Sequence, residues 1–91
     1  MIQILLLKND LVLISRIEEV STELGEPDCK LINPYKMVLH NDGTDNVQFE
    51  TFESWPSFTD QKELMIHSDS ILTLVEPNKY QLDKYQSLTA E

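Results

Sequence analysis

The sequence predicts a small, mainly all-β domain: a bent antiparallel barrel of five or six short strands followed by a short C-terminal helix. Three observations predict it. The apolar runs are short, and clusters of Asn, Asp, Gly and Pro punctuate them. Several of the runs alternate with the period of two that places successive side chains on opposite faces of a strand. The clearest helix start, Asn78 after Pro77, lies close to the C-terminus. With 91 residues, the chain is read as one domain, 1–91, with a modest core.

The elements follow in chain order. Ile2 to Leu7 is apolar except for Gln3, which reads as a strand buried on both faces. Lys8-Asn9-Asp10 is a compact turn. The next segment, Leu11 to Val20, has two readings. Leu13, Ile17, Val20 and Leu24 sit at helical spacing, and Gly25 and Pro27 would end such a helix. Read as a strand, it is apolar on both faces at first and on one face later, which predicts a bend or bulge near the small Ser15. Ser21 to Pro27 is a polar connection. Asp28 to Asn33 reads as a short strand that Pro34 interrupts or ends, and Tyr35 to His40 as a further one. Asp42-Gly43 marks the strongest turn, within residues 41–46. Val47 to Phe52 alternates as a strand, and the segment around Trp55-Pro56 reads as a loop. Leu64 to Ile66 and Ile71 to Val75 read as strands around a tight polar turn, His67 to Ser70. Lys79 to Leu88 then reads as nearly three helical turns, with Leu82, Tyr85 and Leu88 docked on the barrel.

Charge narrows the function classes. Sixteen acidic residues against seven basic ones give a net charge of -9. That excludes a whole-surface basic patch of the DNA-coating kind. Gly25 and Gly43 are the two glycines, and neither lies in a glycine-rich phosphate loop. The single cysteine, Cys29, cannot form an internal disulfide, which favours a reducing compartment and a buried, apolar role for the thiol. No stretch approaches the length of a membrane-spanning helix, and the expected location is cytoplasmic.

No enzymatic constellation is legible. His40 and His67 are the only histidines, and neither has metal-ligand spacing. Both read as exposed turn residues. No nucleophile elbow is present. The expectation is a non-enzyme with no metal and no cofactor. Lys30, Tyr35 and Lys36 place positive charge beside an aromatic ring, a combination suited to base stacking and phosphate attraction but also to a solvated strand edge.

Two segments resemble the two motifs of the Sm and Sm-like (LSm) proteins. Leu7-Lys8-Asn9-Asp10 resembles the turn of the first motif, with Ser15 as the small residue of its bent strand. Ile66 to Leu74 resembles the second motif, with His67 at the arginine position and Ser68 at the glycine position. More narrowly, the chain resembles Sm-like proteins of marine cyanophages and ocean metagenomes, through Gly25-Glu26-Pro27-Asp28-Cys29 and Leu74-Val75-Glu76-Pro77-Asn78-Lys79.

The resemblance implies a five-stranded bent barrel that joins edge to edge into a ring and binds single-stranded, often uridine-rich RNA near the pore. By position the base-holding segments are Ser21 to Asp28 and His67 to Ser70. Ser21 stands near the place of the family's aspartate. The candidate nucleic-acid-binding residues are therefore His67, Ser68, Asp69 and Ser21, with Lys30, Tyr35 and Lys36 as secondary contacts. Ile71 to Val75 carries no charge and no proline to blunt an edge, so it too favours pairing with a second copy. The expected partners are further copies of the chain in a closed ring of about five to seven, and single-stranded RNA or DNA. The competing reading is an acidic ring scaffold that binds a protein partner without nucleic acid.

Overall fold

A computed structural model describes residues 1–41 and 48–90. Six strands, β1 (Ile2–Leu7), β2 (Val12–Glu19), β3 (Cys29–Asn41), β4 (Gln48–Ser54), β5 (Glu63–Ile66) and β6 (Ile71–Val75), precede one helix, α1 (Lys79–Thr89). The chain is mainly β, and every strand pairing is antiparallel. Leu11 to Val20 resolves as strand rather than helix. The glycine-containing turn expected in residues 41–46 falls largely outside the described residues.

The sheet runs β4-β3-β2-β1-β6, with β5 also on β3. β2 occupies one edge of β3, while β4 and β5 share the other edge end to end. The two short strands thus fill the place of one long strand. Two expectations need correction here. Residues 64–75 do not form a hairpin, because β5 pairs with β3 and β6 pairs with β1 at the opposite side of the sheet. For the same reason the barrel stays open. Among the described residues, neither β6 nor the β4–β5 side has a strand partner on its outer edge.

The turn after β1 forms as its residue types dictate. Asp10 takes a left-handed φ of 69°, a conformation Asp tolerates better than most residues. The Asn9 side-chain oxygen accepts from the Leu11 N–H at 3.2 Å, and the Leu7 N–H reaches the Leu11 carbonyl at 2.9 Å.

Both faces of the sheet are buried, by different means. Inside the curl, Leu5, Leu7, Leu13, Cys29 and Leu31 form one core, with Ile17, Trp55, Leu64, Ile66 and Ile71 packed on it. On the convex side, Ile4, Ile14 and Tyr85 form a second core with Val12, Tyr35, Met37 and Phe52 around it. β1 contributes to both cores, as its nearly continuous apolar run predicts. Each fully buried Leu or Ile contributes about 1.5–3 kcal/mol. Burial also pushes the Cys29 thiol up from its ordinary range, helped by the charges of Asp28 and Glu19, so the thiol stays protonated and unreactive.

Pro34 does not end a strand. β3 runs straight through it, because Asn33–Pro34 is a β-bulge. Ile14 pairs with Tyr35 and Arg16 with Ile32, so two residues of β3 lie opposite the single Ser15 of β2. Asn33 adopts φ 52°, which suits Asn, and a bulge is one of the few sheet positions that tolerates proline's missing N–H. The bulge also changes which face odd-numbered residues meet. Cys29 and Leu31 enter the inner core, whereas Tyr35 and Met37 enter the outer one. The bend expected near Ser15 is therefore real, but its extra residue is in the partner strand.

The bulge leaves backbone groups without ladder partners, and side chains take them up. The Ser15 hydroxyl lies 2.9 Å from the Arg16 carbonyl and 3.0 Å from the Ile32 carbonyl. The Tyr85 hydroxyl accepts from the Arg16 N–H at 3.1 Å. Its proton is shared between the carbonyls of Ile32 (3.0 Å) and Asn33 (2.9 Å). The Asn33 N–H donates to the Lys62 carbonyl at 2.7 Å. Tyr85, on α1, is fully buried and meets Tyr35 edge-on with ring centroids 6.0 Å apart.

The helix begins where the sequence places it. Asn78 accepts from the Gln81 N–H at 2.8 Å while the Gln81 side chain accepts from the Asn78 N–H at 3.0 Å, a complete capping box. Lys84 holds α1 to β4 by donating to the Glu50 carbonyl at 3.0 Å and lying 4.8 Å over the Phe52 ring. Leu88 stays exposed, so Tyr85 is the docking anchor of the expected stripe.

Candidate functional site

Strand register builds the site. Cys29 of β3 lies opposite Ile66 of β5. The residue before β3 and the residues after β5 therefore emerge side by side. Asp28 meets Ser68 there, and its two carboxylate oxygens accept from the Ser68 N–H at 2.7 Å and the Ser68 hydroxyl at 2.8 Å. These two bonds, with a smaller contribution from His67, hold the Asp28 carboxyl below its ordinary range.

Each side of this latch is internally ordered. The connection between β2 and β3 is closed at its base by the Val20 N–H donating to the Asp28 carbonyl at 3.0 Å. Within it the Glu26 N–H reaches the Glu23 carbonyl at 3.1 Å, around Gly25 at φ 90°, a backbone state that excludes most side chains at little cost only to glycine. The connection between β5 and β6 is one turn of 3-10 helix, Ser68–Ser70. The Ser70 N–H and hydroxyl both donate to the His67 carbonyl, at 3.0 Å and 2.7 Å. The Lys8 N–H ties the turn to β1 through the Ser70 carbonyl at 2.9 Å.

Between the two connections lies an open cleft of about 340 Å³, lined by residues 20–26 with Asp28, His67, Ser68 and Asp69. Glu23, Glu26, Asp28 and Asp69 line it with carboxylates. His67 is the only side chain of the lining able to carry positive charge. The cleft is shallow and polar, suited to hydrogen bonding with a ligand that reaches in from solvent.

Four of the sequence-predicted residues, Ser21, His67, Ser68 and Asp69, thus meet in one cleft, although more than forty positions separate Ser21 from the others. Lys30, Tyr35 and Lys36 lie outside it. Lys30 pairs with Glu63 across β3 and β5, at 3.6 Å. Tyr35 and Lys36 lie beyond the Asn33–Pro34 bulge, Lys36 opposite Glu53 of β4. The Tyr35 ring packs in the core beneath α1. His40 is not a turn residue: it lies in β3, 2.8 Å from the Thr51 hydroxyl and stacked on Phe49 with centroids 5.0 Å apart.

The sequence places Asp28 at the start of a strand and at the end of the Ser21 to Asp28 segment, without a partner. The β3–β5 register places it against Ser68. Among the described residues, no group of three His, Cys, Asp or Glu side chains is arranged to hold a metal ion, and no helix is long and apolar enough to cross a membrane.

Residues 1–90 match a family described as a family of unknown function, DUF6561. The chain belongs to this family. The match spans all six strands and the whole of helix α1. No curated protein matches the chain.

Proposed function

We propose that this DUF6561 protein assembles into a closed, Sm-like homo-oligomeric ring and binds single-stranded nucleic acid, RNA foremost, in the cleft between residues 20–28 and the His67–Ser70 turn. The observation that carries this reading is the meeting of Ser21, His67, Ser68 and Asp69 in one cleft. These are the positions that the Sm-like resemblance assigns to base contact. The open edge of β6, with Leu72, Leu74 and Val75 exposed, supports edge-to-edge assembly, because such an edge offers unpaired backbone groups to a neighbouring strand. In this reading His67 meets a phosphate or base edge, Ser21 and Asp69 meet base edges, and the Asp28–Ser68 latch holds the two connections at a fixed separation. The protein acts in the cytoplasm, that of the host cell if the gene is carried by a phage, and neither catalysis nor a cofactor is assigned to it.

Binding of labelled uridine- and adenosine-rich oligomers tests this reading. Saturable binding at low salt that weakens in His67→Ala supports it. No saturable binding at low salt, with His67→Ala indistinguishable from the parent, overturns it.

A second reading is favoured by the four carboxylates of the cleft and the net charge of -9. A ring of this chain would multiply that acidity and could dock a basic protein without nucleic acid. Pull-down from lysate with and without nuclease separates the two. Partners lost on nuclease treatment favour nucleic acid, and partners that persist favour the scaffold.

A further inference from the structure

We infer that Asp28 is the positioning residue of the cleft: single-stranded nucleic acid binds the state in which its carboxylate is bonded to Ser68, so that bond sets the affinity. The inference rests on the nucleic-acid reading above and adds what regulates the site. The proposed contacts come from two walls, Ser21 from one and His67, Ser68 and Asp69 from the other. Each wall is braced within itself. In the first, the Glu26 N–H reaches the Glu23 carbonyl at 3.1 Å and the Thr22 hydroxyl reaches the Glu26 carbonyl at 3.5 Å. In the second, the Ser70 N–H and hydroxyl both reach the His67 carbonyl. Past Cys29 and Ile66, where the β3–β5 ladder ends, the hydrogen bonds that join the walls among the described residues are the two from Ser68 to the Asp28 carboxylate. Asp28 also anchors the first wall, because its carbonyl accepts from the Val20 N–H at 3.0 Å. One residue therefore sets where Ser21 stands relative to His67.

Residues 21–27 and 67–69 are exposed, so water competes for the latch. A net hydrogen bond in such a place shifts the balance of latched and unlatched states by about three- to tenfold. A ligand that touches both walls needs the latched state, and its apparent affinity scales with the population of that state. Losing the bond lowers this population without removing any group assigned to ligand contact. Losing the carboxylate also removes a negative charge, which by itself favours a polyanion. The two effects have opposite signs, and substitution separates them.

The test is anisotropy of labelled oligo(U) and oligo(A) against the intact parent, Asp28→Ala and Asp28→Asn, at one low salt concentration and neutral pH. Both variants lose the same charge. Asn keeps an oxygen for the Ser68 N–H and offers its amide N–H to the Ser68 hydroxyl, whereas Ala keeps neither. For an oligomer that the parent binds, Asp28→Ala is expected to bind about three- to tenfold more weakly. Asp28→Asn is expected to recover most of that loss, with the denaturation midpoints of all three close together. Asp28→Ala equal to or tighter than the parent, Asp28→Asn as weak as Asp28→Ala, or a weakening accounted for by loss of folded protein each overturns the positioning role and leaves the nucleic-acid reading standing. No saturable binding of the parent to either oligomer overturns both.

Discussion

The bulge at Ser15 and Asn33–Pro34 and the cleft at Asp28 and Ser68 both join segments distant in sequence, yet they are built oppositely. At the bulge, Tyr85 and Ser15 are fully buried and the backbone groups freed by the register shift meet side-chain or backbone partners. At the cleft, a single carboxylate grips a turn at the surface, and most of the lining side chains face solvent. The two places divide the labour. The bulge stabilises the sheet's curvature, because polar groups in a low-dielectric interior are costly to leave unpaired. The cleft leaves most of its lining side chains exposed to solvent, where the proposed ligand would meet them.

Substitutions can break this contrast, and the largest effect belongs to Tyr85. Tyr85→Ala opens a cavity beneath α1 and strips the bulge of its hydroxyl, with an expected loss of about 3–5 kcal/mol by denaturant titration. Tyr85→Phe separates the two effects. It keeps the ring but leaves the Arg16 N–H without its hydroxyl acceptor, and should cost about 1–3 kcal/mol. If Tyr85→Phe is as stable as the parent, the hydroxyl does not secure the bulge. Asn78→Ala removes one half of the capping box and should cost about 1 kcal/mol; an unchanged denaturation midpoint would mean that docking alone holds the helix start.

The smallest effects lie at the cleft. Asp28→Asn should leave the denaturation midpoint close to the parent's while speeding hydrogen exchange at the Ser68 amide. A large global destabilisation would place the latch with the bulge rather than against it. The same bond sets a pH dependence. Because Asp28 titrates lower in the folded chain than when unfolded, the latch's contribution is fully present above the unfolded pKa and is lost as pH falls through the lowered one. The Ser68 amide shift should therefore be flat at neutral pH and move only in acid, below the usual aspartate range. A transition near neutrality would assign the change to another group.

Much of the fold is legible in the sequence where the controlling interactions are local. The Lys8-Asn9-Asp10 turn, the two-faced burial of β1 and the Asn78 cap follow from residue type and spacing. The continuity of β3 is not legible, because Pro34 normally signals a strand end. It is tolerated only through the pairing with Ser15 and the hydroxyl of Tyr85, more than fifty positions away. The hairpin expected around His67 fails for a related reason: β5 and β6 pair with strands on opposite sides of the sheet, which turn chemistry alone does not specify. The candidate site divides the same way. His67, Ser68, Asp69 and Ser21 are legible through the motif positions of the Sm-like resemblance. Lys30, Tyr35 and Lys36 are near one another in sequence, but none of them lines the cleft. The bond from Asp28 to Ser68 is not legible, since its partner is forty positions away.

Assembly and cleft meet in one experiment. Sedimentation velocity of the parent and His67→Ala, each with and without a labelled single-stranded RNA oligomer, reads ring size and binding together. The account predicts that both proteins sediment as a closed ring of about five to seven chains, that the parent carries the label with it at low salt, and that His67→Ala carries less. A monomer at micromolar concentration, or a ring that leaves the RNA behind in both proteins, would contradict it.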